Sequence, residues 1–182
     1  MQGSVFTAEI GAATVVTTYL FPEAMLELRP KLLAELRPGT RVVSNSFHME
    51  DWQPDVHDMR ARSSGGILLW VVPAEVDGDW DLELDGDDAH YAITAEQRFQ
   101  TLELRRVGPG APLELGAAEL RGDRIAFAGE SPEARYAFSG RVERNAMQGF
   151  VQIERSGRET LVRTWRARRV AALPPPSRGP SS

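Results

Sequence analysis

Residues 13–20 form a continuous run of β-branched and apolar side chains (Ala13, Thr14, Val15, Val16, Thr17, Thr18, Tyr19, Leu20) without polar alternation. A strand covered on both faces, as in a parallel sheet, has this pattern. Pro22 and Glu23 then suit the first turn of a helix. Proline loses nothing there, because its missing N–H has no helical partner in any case, and an acid faces the positive end of the helix dipole. Met25, Leu28, Leu32 and Leu36 fall on one helical stripe. Pro30 lies inside that stripe and is expected to kink the helix or split it in two. Pro38 and Gly39 end the helix, and residues 41–47 resume as a strand. Strand, helix and strand in this order predict a βαβ unit with a right-handed crossover.

The character of the chain changes near residues 58–66. The polar stretch 48–66, with Pro54 and the Ser63, Ser64, Gly65, Gly66 joint, reads as loop and linker. Strands are expected beyond it at 67–75, 79–84, 89–94, 97–107, 118–121, 124–129, 134–143, 147–155 and 160–169. Several alternate: Tyr136, Phe138 and Val142 share a face, as do Val151 and Ile153. Asp85-Gly86 and Gly122-Asp123 have hairpin-turn chemistry. The expected fold class is α+β, a βαβ unit followed by an antiparallel β-sheet or small β-barrel. Expected boundaries are 1–62 for the first part, 63–170 for the β domain and 171–182 for a disordered Pro/Ser/Gly tail.

Composition narrows the chemistry. The 182 residues include 21 basic and 26 acidic side chains, a net charge of −5, which disfavours nucleic acid as the main partner. With no cysteine, a disulfide scaffold, a thiolate nucleophile and a Cys-ligated zinc are excluded. Three histidines (His48, His57, His90) make a His-rich metal site unexpected, and no metal ligand is assigned. The longest apolar run, 67–72, is far shorter than the roughly 18–20 residues of a membrane span. The amino terminus lacks the basic flank of a secretory signal, so no membrane partner and a cytoplasmic location are expected.

Several constellations have plainer explanations. Asp77, Asp79 and Asp81 recur as in a calcium loop, but the sixth position is Leu82 rather than Gly and the twelfth is Asp88 rather than Glu. A strand with Trp80, Leu82 and Leu84 inward and acids outward explains the same residues. His48 near Glu50 and Asp51, and His57 beside Asp58, place imidazole near carboxylate, as general-base catalysis would. The arginines at 163, 166, 168 and 169 surround Trp165, and an arginine face pairing with the acidic 77–88 hairpin accounts for them. Phosphate-binding loops and Gly-x-Ser-x-Gly turns do not occur.

One resemblance runs through the first part. Phe6, Thr7, Ala8, Glu9, the 13–23 segment ending Phe21-Pro22-Glu23, then Leu28, Arg29, Pro30, Lys31, Leu32, Leu33 and the stretch 38–44 resemble a bacterial branch of class I S-adenosylmethionine-dependent methyltransferases. Phe47, Met49, Asp51, Trp52, Pro54, Asp55 and the strand 69–74 are similar to that branch too, so the likeness covers roughly residues 3–75. It implies that these residues form the fourth strand, following helix and fifth strand of a Rossmann-like sheet. The fold expectation then becomes a partial Rossmann-like βαβ unit before the β domain. The family's Gly-rich turn and ribose-holding acid have no counterpart here, and the resemblance implies that they lie upstream of Met1. Where that family tends to place an acid near the adenine, this chain has Gly3, Ser4, Val5 and Phe6.

The implied activity is S-adenosylmethionine-dependent methyl transfer to an unidentified acceptor, incomplete in this chain alone. S-adenosylmethionine is the implied cofactor, with Ser4, Val5 and Thr17 as its contacts. Tyr19, Phe47, Asp51 and Trp52 would line the acceptor pocket, and His48 would be the catalytic base. Such chemistry needs alignment more than acid, base or metal, so the scarcity of His and Cys does not oppose it. Two alternatives remain open: a non-enzymatic β-barrel holding an apolar ligand beside a relic βαβ unit, and a homodimer or complementing chain covering an exposed sheet edge.

Overall fold

The computed structural model describes residues 3–60, 65–86, 90–110 and 112–170. In chain order the elements are β1 (Val15–Thr18), α1 (Pro22–Glu35), β2 (Arg41–Asn45), β3 (Val56–Asp58), β4 (Ile67–Val71), β5 (Gly78–Leu84), β6 (His90–Arg98), β7 (Thr101–Arg106), β8 (Glu114–Arg121), β9 (Arg124–Glu130), β10 (Arg135–Glu143), β11 (Ala146–Glu154) and β12 (Leu161–Arg169). They divide into two units. The first comprises Met1–Glu75 with Arg98–Thr101 and Glu119–Ile125; the second comprises Val76–Gln97, Leu102–Ala118 and Ala126–Ser182.

In the first unit β1 and β2 pair in parallel, from Val15 opposite Arg41 to Thr18 opposite Ser44, with α1 as the crossover between them. The sheet has four strands in the order β1-β2-β4-β3, and β4 runs antiparallel to both its neighbours. Met25, Leu28, Leu32 and Leu36 pack against Val42, Leu68 and Trp70. Each fully buried side chain of this kind contributes about 1.5–3 kcal/mol.

Four expectations change here. The helix is not split at Pro30 but runs through it. Pro30 is exposed, so the carbonyl its ring leaves unbonded can take water. Strand β1 is not covered on both faces: Val15 and Thr17 are exposed, because β1 lies at the edge of the sheet with α1 packed over one side. The segment 48–66 is not all loop, since β3 lies within it. Finally, β4 joins the amino-terminal sheet by pairing with β2, whereas the strand pattern groups residues 67–75 with the carboxyl-terminal strands.

The second unit is a closed barrel in the order β10-β11-β12-β5-β6-β7-β8-β9. The open choice between sheet and barrel is thus resolved as a barrel. The expected strand 97–107 is two strands, because Phe99 turns the chain in a left-handed conformation (φ 55°) between β6 and β7. Inward positions are filled by Trp80, Leu82, Ile93, Phe127, Phe138, Met147, Val151 and Trp165, all buried. An eight-stranded barrel is just wide enough for side chains to fill it. These side chains pack the inward positions. A cavity in this unit, about 390 Å³, is lined by Leu115, Ala128, Tyr136 and Ala137 together with Glu114, Glu130, Arg135 and Glu154. Among the described residues, no helix is long and apolar enough to cross a membrane. Ser63, Ser64 and the 171–182 tail lie outside the described residues.

Trp165 is central to the barrel core. Its indole lies edge-on to Phe127 and Phe138 at 5.4 and 5.8 Å, and those two rings stack at 4.4 Å. Its Nε1–H donates to the carbonyls of Ser139 and Phe150, both at 3.1 Å. Gly140 and Gly149 face each other across β10 and β11, and Gly149 faces Trp165 across β11 and β12. A Cβ on Gly140 would stand 2.7 Å from Trp165 Cζ2. The same Cβ would press on the backbone carbonyl of Gln148, so Gly140→Ala should shift both β11 and the indole and cost about 1–3 kcal/mol. Urea unfolding measures it, and an unchanged midpoint would show that strand and indole have room to spare.

Candidate functional site

Parallel pairing places the carboxyl ends of β1 and β2 at the same edge of the sheet, where ligands bind in open α/β structures. Aromatic residues follow both ends. Tyr19 comes just after β1, Phe21 just before α1, and Phe47 just after β2. The Tyr19 and Phe47 rings stack at 6.2 Å with 25° between planes, and Phe21 lies 6.1 Å from Phe47. Phe21 occupies the helix N-cap position in an extended conformation and makes no side-chain capping bond, leaving its ring free for this cluster. Tyr19 and Phe21 are 73% and 76% exposed. An exposed aromatic group is informative where an exposed aliphatic one is not, because its faces recognise flat or cationic ligands.

The loop after β2 is tightly constrained. Ser46 and Glu50 adopt left-handed conformations with φ of 74° and 52°, unusual for residues with side chains. Ser46 N–H donates to Gly66 O at 2.9 Å, and a Cβ on Gly65 would stand 2.7 Å from Ser46 Cα. The loop thereby buries Met49 while leaving Phe47 half-buried and His48 exposed. The His48 and His57 rings meet edge-on at 5.2 Å, and a ring nitrogen of His57 is 2.9 Å from Gly65 O. Asp58, beside His57 in sequence, is instead bound by Arg60.

Asp51 is held by two arginines, Arg29 at 2.5 Å and Arg98 at 3.0 Å. Hydrogen bonds from Arg98 first, then Arg29, hold its carboxyl below the ordinary carboxylate range. Trp52 is fully buried between Trp70 and Phe99, at 6.1 and 5.8 Å, and its backbone carbonyl accepts a 2.7 Å bond from Trp70 Nε1. Ser4 lies in an amino-terminal turn, where its Oγ accepts from Phe6 N–H at 3.3 Å. Val5 packs on the core of the first unit, and Thr17 is exposed on β1.

Among the residues singled out from sequence, the structure thus brings Tyr19 and Phe47 together. It adds Phe21, a residue of the 13–23 segment with no site role assigned from sequence, and sets His48 against His57. Asp51 and Trp52 point into an ionic clamp and an aromatic stack. The register between the two loops carried no signal in sequence that could have found the His48–His57 pair.

The Asp51 clamp has a defined pH signature. A folded-state pKa below the unfolded value of about 3.9 contributes stability above that value and loses it as pH falls through the folded pKa. Asp51→Asn should lower the denaturation midpoint near neutrality by a small amount, as befits an exposed pair. The variant and the parent should then converge in strong acid. Midpoints that stay equally separated from pH 7 to pH 2 would assign the effect to something other than this charge.

Residues 1–56 match the ANTKMT methyltransferase domain family. Over 54 residues the chain is 46% identical to a protein-lysine N-methyltransferase of Saccharolobus islandicus (strain REY15A), a match covering 30% of this chain and 34% of that protein. It is also similar to an RNA methyltransferase from Salinibacter ruber, solved in complex with S-adenosyl-L-homocysteine. There the identity is 43%, the coverage 42% of this chain and 48% of that one, and the TM-score 0.38. The chain therefore spans about a third of the curated relative and about half of the solved one. The amino-terminal segment that builds the aromatic edge is methyltransferase-like in sequence.

Proposed function

We propose that the first unit takes part in S-adenosylmethionine-dependent methyl transfer to a protein side-chain amine. The observation that carries this reading is the match of residues 1–56 to a methyltransferase domain, with 46% identity to a protein-lysine methyltransferase across that stretch. The residues present fit the cofactor in part. Ser4 and Thr17 are exposed and carry hydroxyls that can donate or accept, and Val5 lies beside Ser4 as an apolar neighbour. The Gly-rich turn that cradles the cofactor in the resembling family is not in this sequence, so this chain supplies chiefly the acceptor side of the site.

When bound, S-adenosylmethionine supplies an activated methyl group on a sulfonium. The roles assigned to this chain's residues follow from their chemistry. Tyr19, Phe21 and Phe47 present ring faces that attract a cationic ammonium and hold its alkyl stem. An ammonium must lose a proton before its nitrogen can act as a nucleophile, and His48, exposed beside Phe47, is the group assigned to accept it. Asp51, neutralised by Arg29 and Arg98, and Trp52, buried behind it, hold the loop that carries Phe47 and His48.

The test is binding of a lysine-containing peptide to the chain, followed by calorimetry beside a separate titration with S-adenosyl-L-homocysteine. Tyr19→Ala and Phe47→Ala should each weaken peptide affinity by about 3–30-fold, the range of a cation–π contact. Unchanged peptide affinity in both variants would remove the aromatic edge from acceptor binding. A failure of S-adenosyl-L-homocysteine to perturb the amide resonances of Thr17 and its neighbours at any concentration would remove the cofactor assignment.

A further inference from the structure

The second unit carries a cluster that the methyl-transfer reading does not use. Asp81 and Glu83 are two residues apart on β5 and point outward, opposite to Trp80, Leu82 and Leu84 in the barrel core. The antiparallel register sets His90 directly opposite Glu83. His90 Nδ1 lies 3.2 Å from Asp81 Oδ2 and 3.7 Å from Glu83 Oε1. One donor atom from each of the three residues falls within 4.8 Å of the others. Nitrogen and oxygen ligands sharing a tetrahedral ion, at bond lengths of about 2.0–2.2 Å, stand about 3.3–3.5 Å apart, and the two separations from His90 bracket that value.

Two further features separate this cluster from a loose group of surface acids. All three donors sit on paired strands, so the backbone fixes their spacing. The Glu83 carboxylate is also oriented from outside, because Arg166 Nε donates to Oε2 at 2.6 Å while Oε1 faces His90. An outer hydrogen bond that aims a ligating carboxylate is a regular part of metal centres. Arg168, opposite Asp81 on β12, and Arg166 add positive charge that weakens any cation, so affinity must come from ligand type. One imidazole and two carboxylates suit zinc, cobalt or nickel, whereas calcium prefers six to eight oxygens. The other imidazole pair, His48 and His57, brings no third such donor into reach among the described residues.

We propose that Asp81, Glu83 and His90 form a three-ligand site for a divalent transition-metal ion on the outer face of the barrel. His90 binds through Nδ1 with its proton on Nε2, and water completes the coordination. Titration of the full chain with zinc chloride, followed by calorimetry, should show one saturable ion per chain. His90→Gln and Asp81→Asn should each weaken it by at least about tenfold. Glutamine keeps a polar side chain at this exposed position, and circular dichroism confirms that the variant remains folded. With three histidines in the chain, their ring-proton resonances locate the ion directly. Substoichiometric cobalt should broaden His90 first and leave His48 and His57 sharp. Broadening of His48 and His57 instead, zinc binding unaffected by His90→Gln, or no saturable binding by the unaltered chain would each overturn the proposal.

Discussion

Parallel pairing of β1 with β2 governs the first unit. Two parallel neighbours cannot be joined by a tight turn, so the chain must cross over, and α1 is that crossover. The helix then has one apolar stripe to bury, and the sheet face beneath it is where Val42, Leu68 and Trp70 wait. The same pairing puts both strand ends at one edge. Tyr19, Phe21 and Phe47 meet there because the strands run in the same direction; antiparallel strands would have sent them to opposite ends.

The loop after β2 shows how a site residue can be exposed without being loose. Met49 and Trp52 are buried to zero exposure on either side of Glu50 and Asp51, which stay at the surface. Left-handed Ser46 and Glu50 provide the tight bends this path needs. The Arg29–Asp51–Arg98 clamp and the Trp52–Phe99 stack then fix the loop from two sides. In the second unit the corresponding constraint is closure. Once eight strands close, no edge remains to be protected, and each inward side chain must share a small volume. Gly140 leaves space for the Trp165 indole, and Gly149 for the β10 backbone opposite it.

How much could be read from the chain beforehand varies by element. The alternation of Trp80, Leu82 and Leu84 with Asp79, Asp81 and Glu83 was enough to place a strand and its two faces, and Arg166 of β12 pairs with Glu83 on that acidic face. The βαβ order was also legible, since the 13–20 run, the 25–36 stripe and the 41–47 run have distinct periods. Position 30 did not end the helix: an interior proline costs about 3 kcal/mol, and burial of Met25, Leu28, Leu32 and Leu36 outweighs it. Positions 56–58 were missed, because a three-residue strand in a polar stretch has no period to detect. The place of β4 was divided between two readings: its short apolar run fits an amino-terminal sheet and a carboxyl-terminal barrel equally well, whereas the family resemblance carried the first part on to residue 75.

By itself the sequence determined which faces are apolar, where the turns fall, and that the amino-terminal third is methyltransferase-like. These are local properties, set by side-chain periodicity, turn chemistry and residue identity along a continuous stretch. Only the tertiary structure decided which residues share a site. Phe21 joins Phe47 across 26 positions, His48 meets His57, and Asp81, Glu83 and His90 converge on one point through strand register. Register is a relation between two strands. It depends on how their side chains pack against everything around them, so it is absent from the pattern of either strand alone.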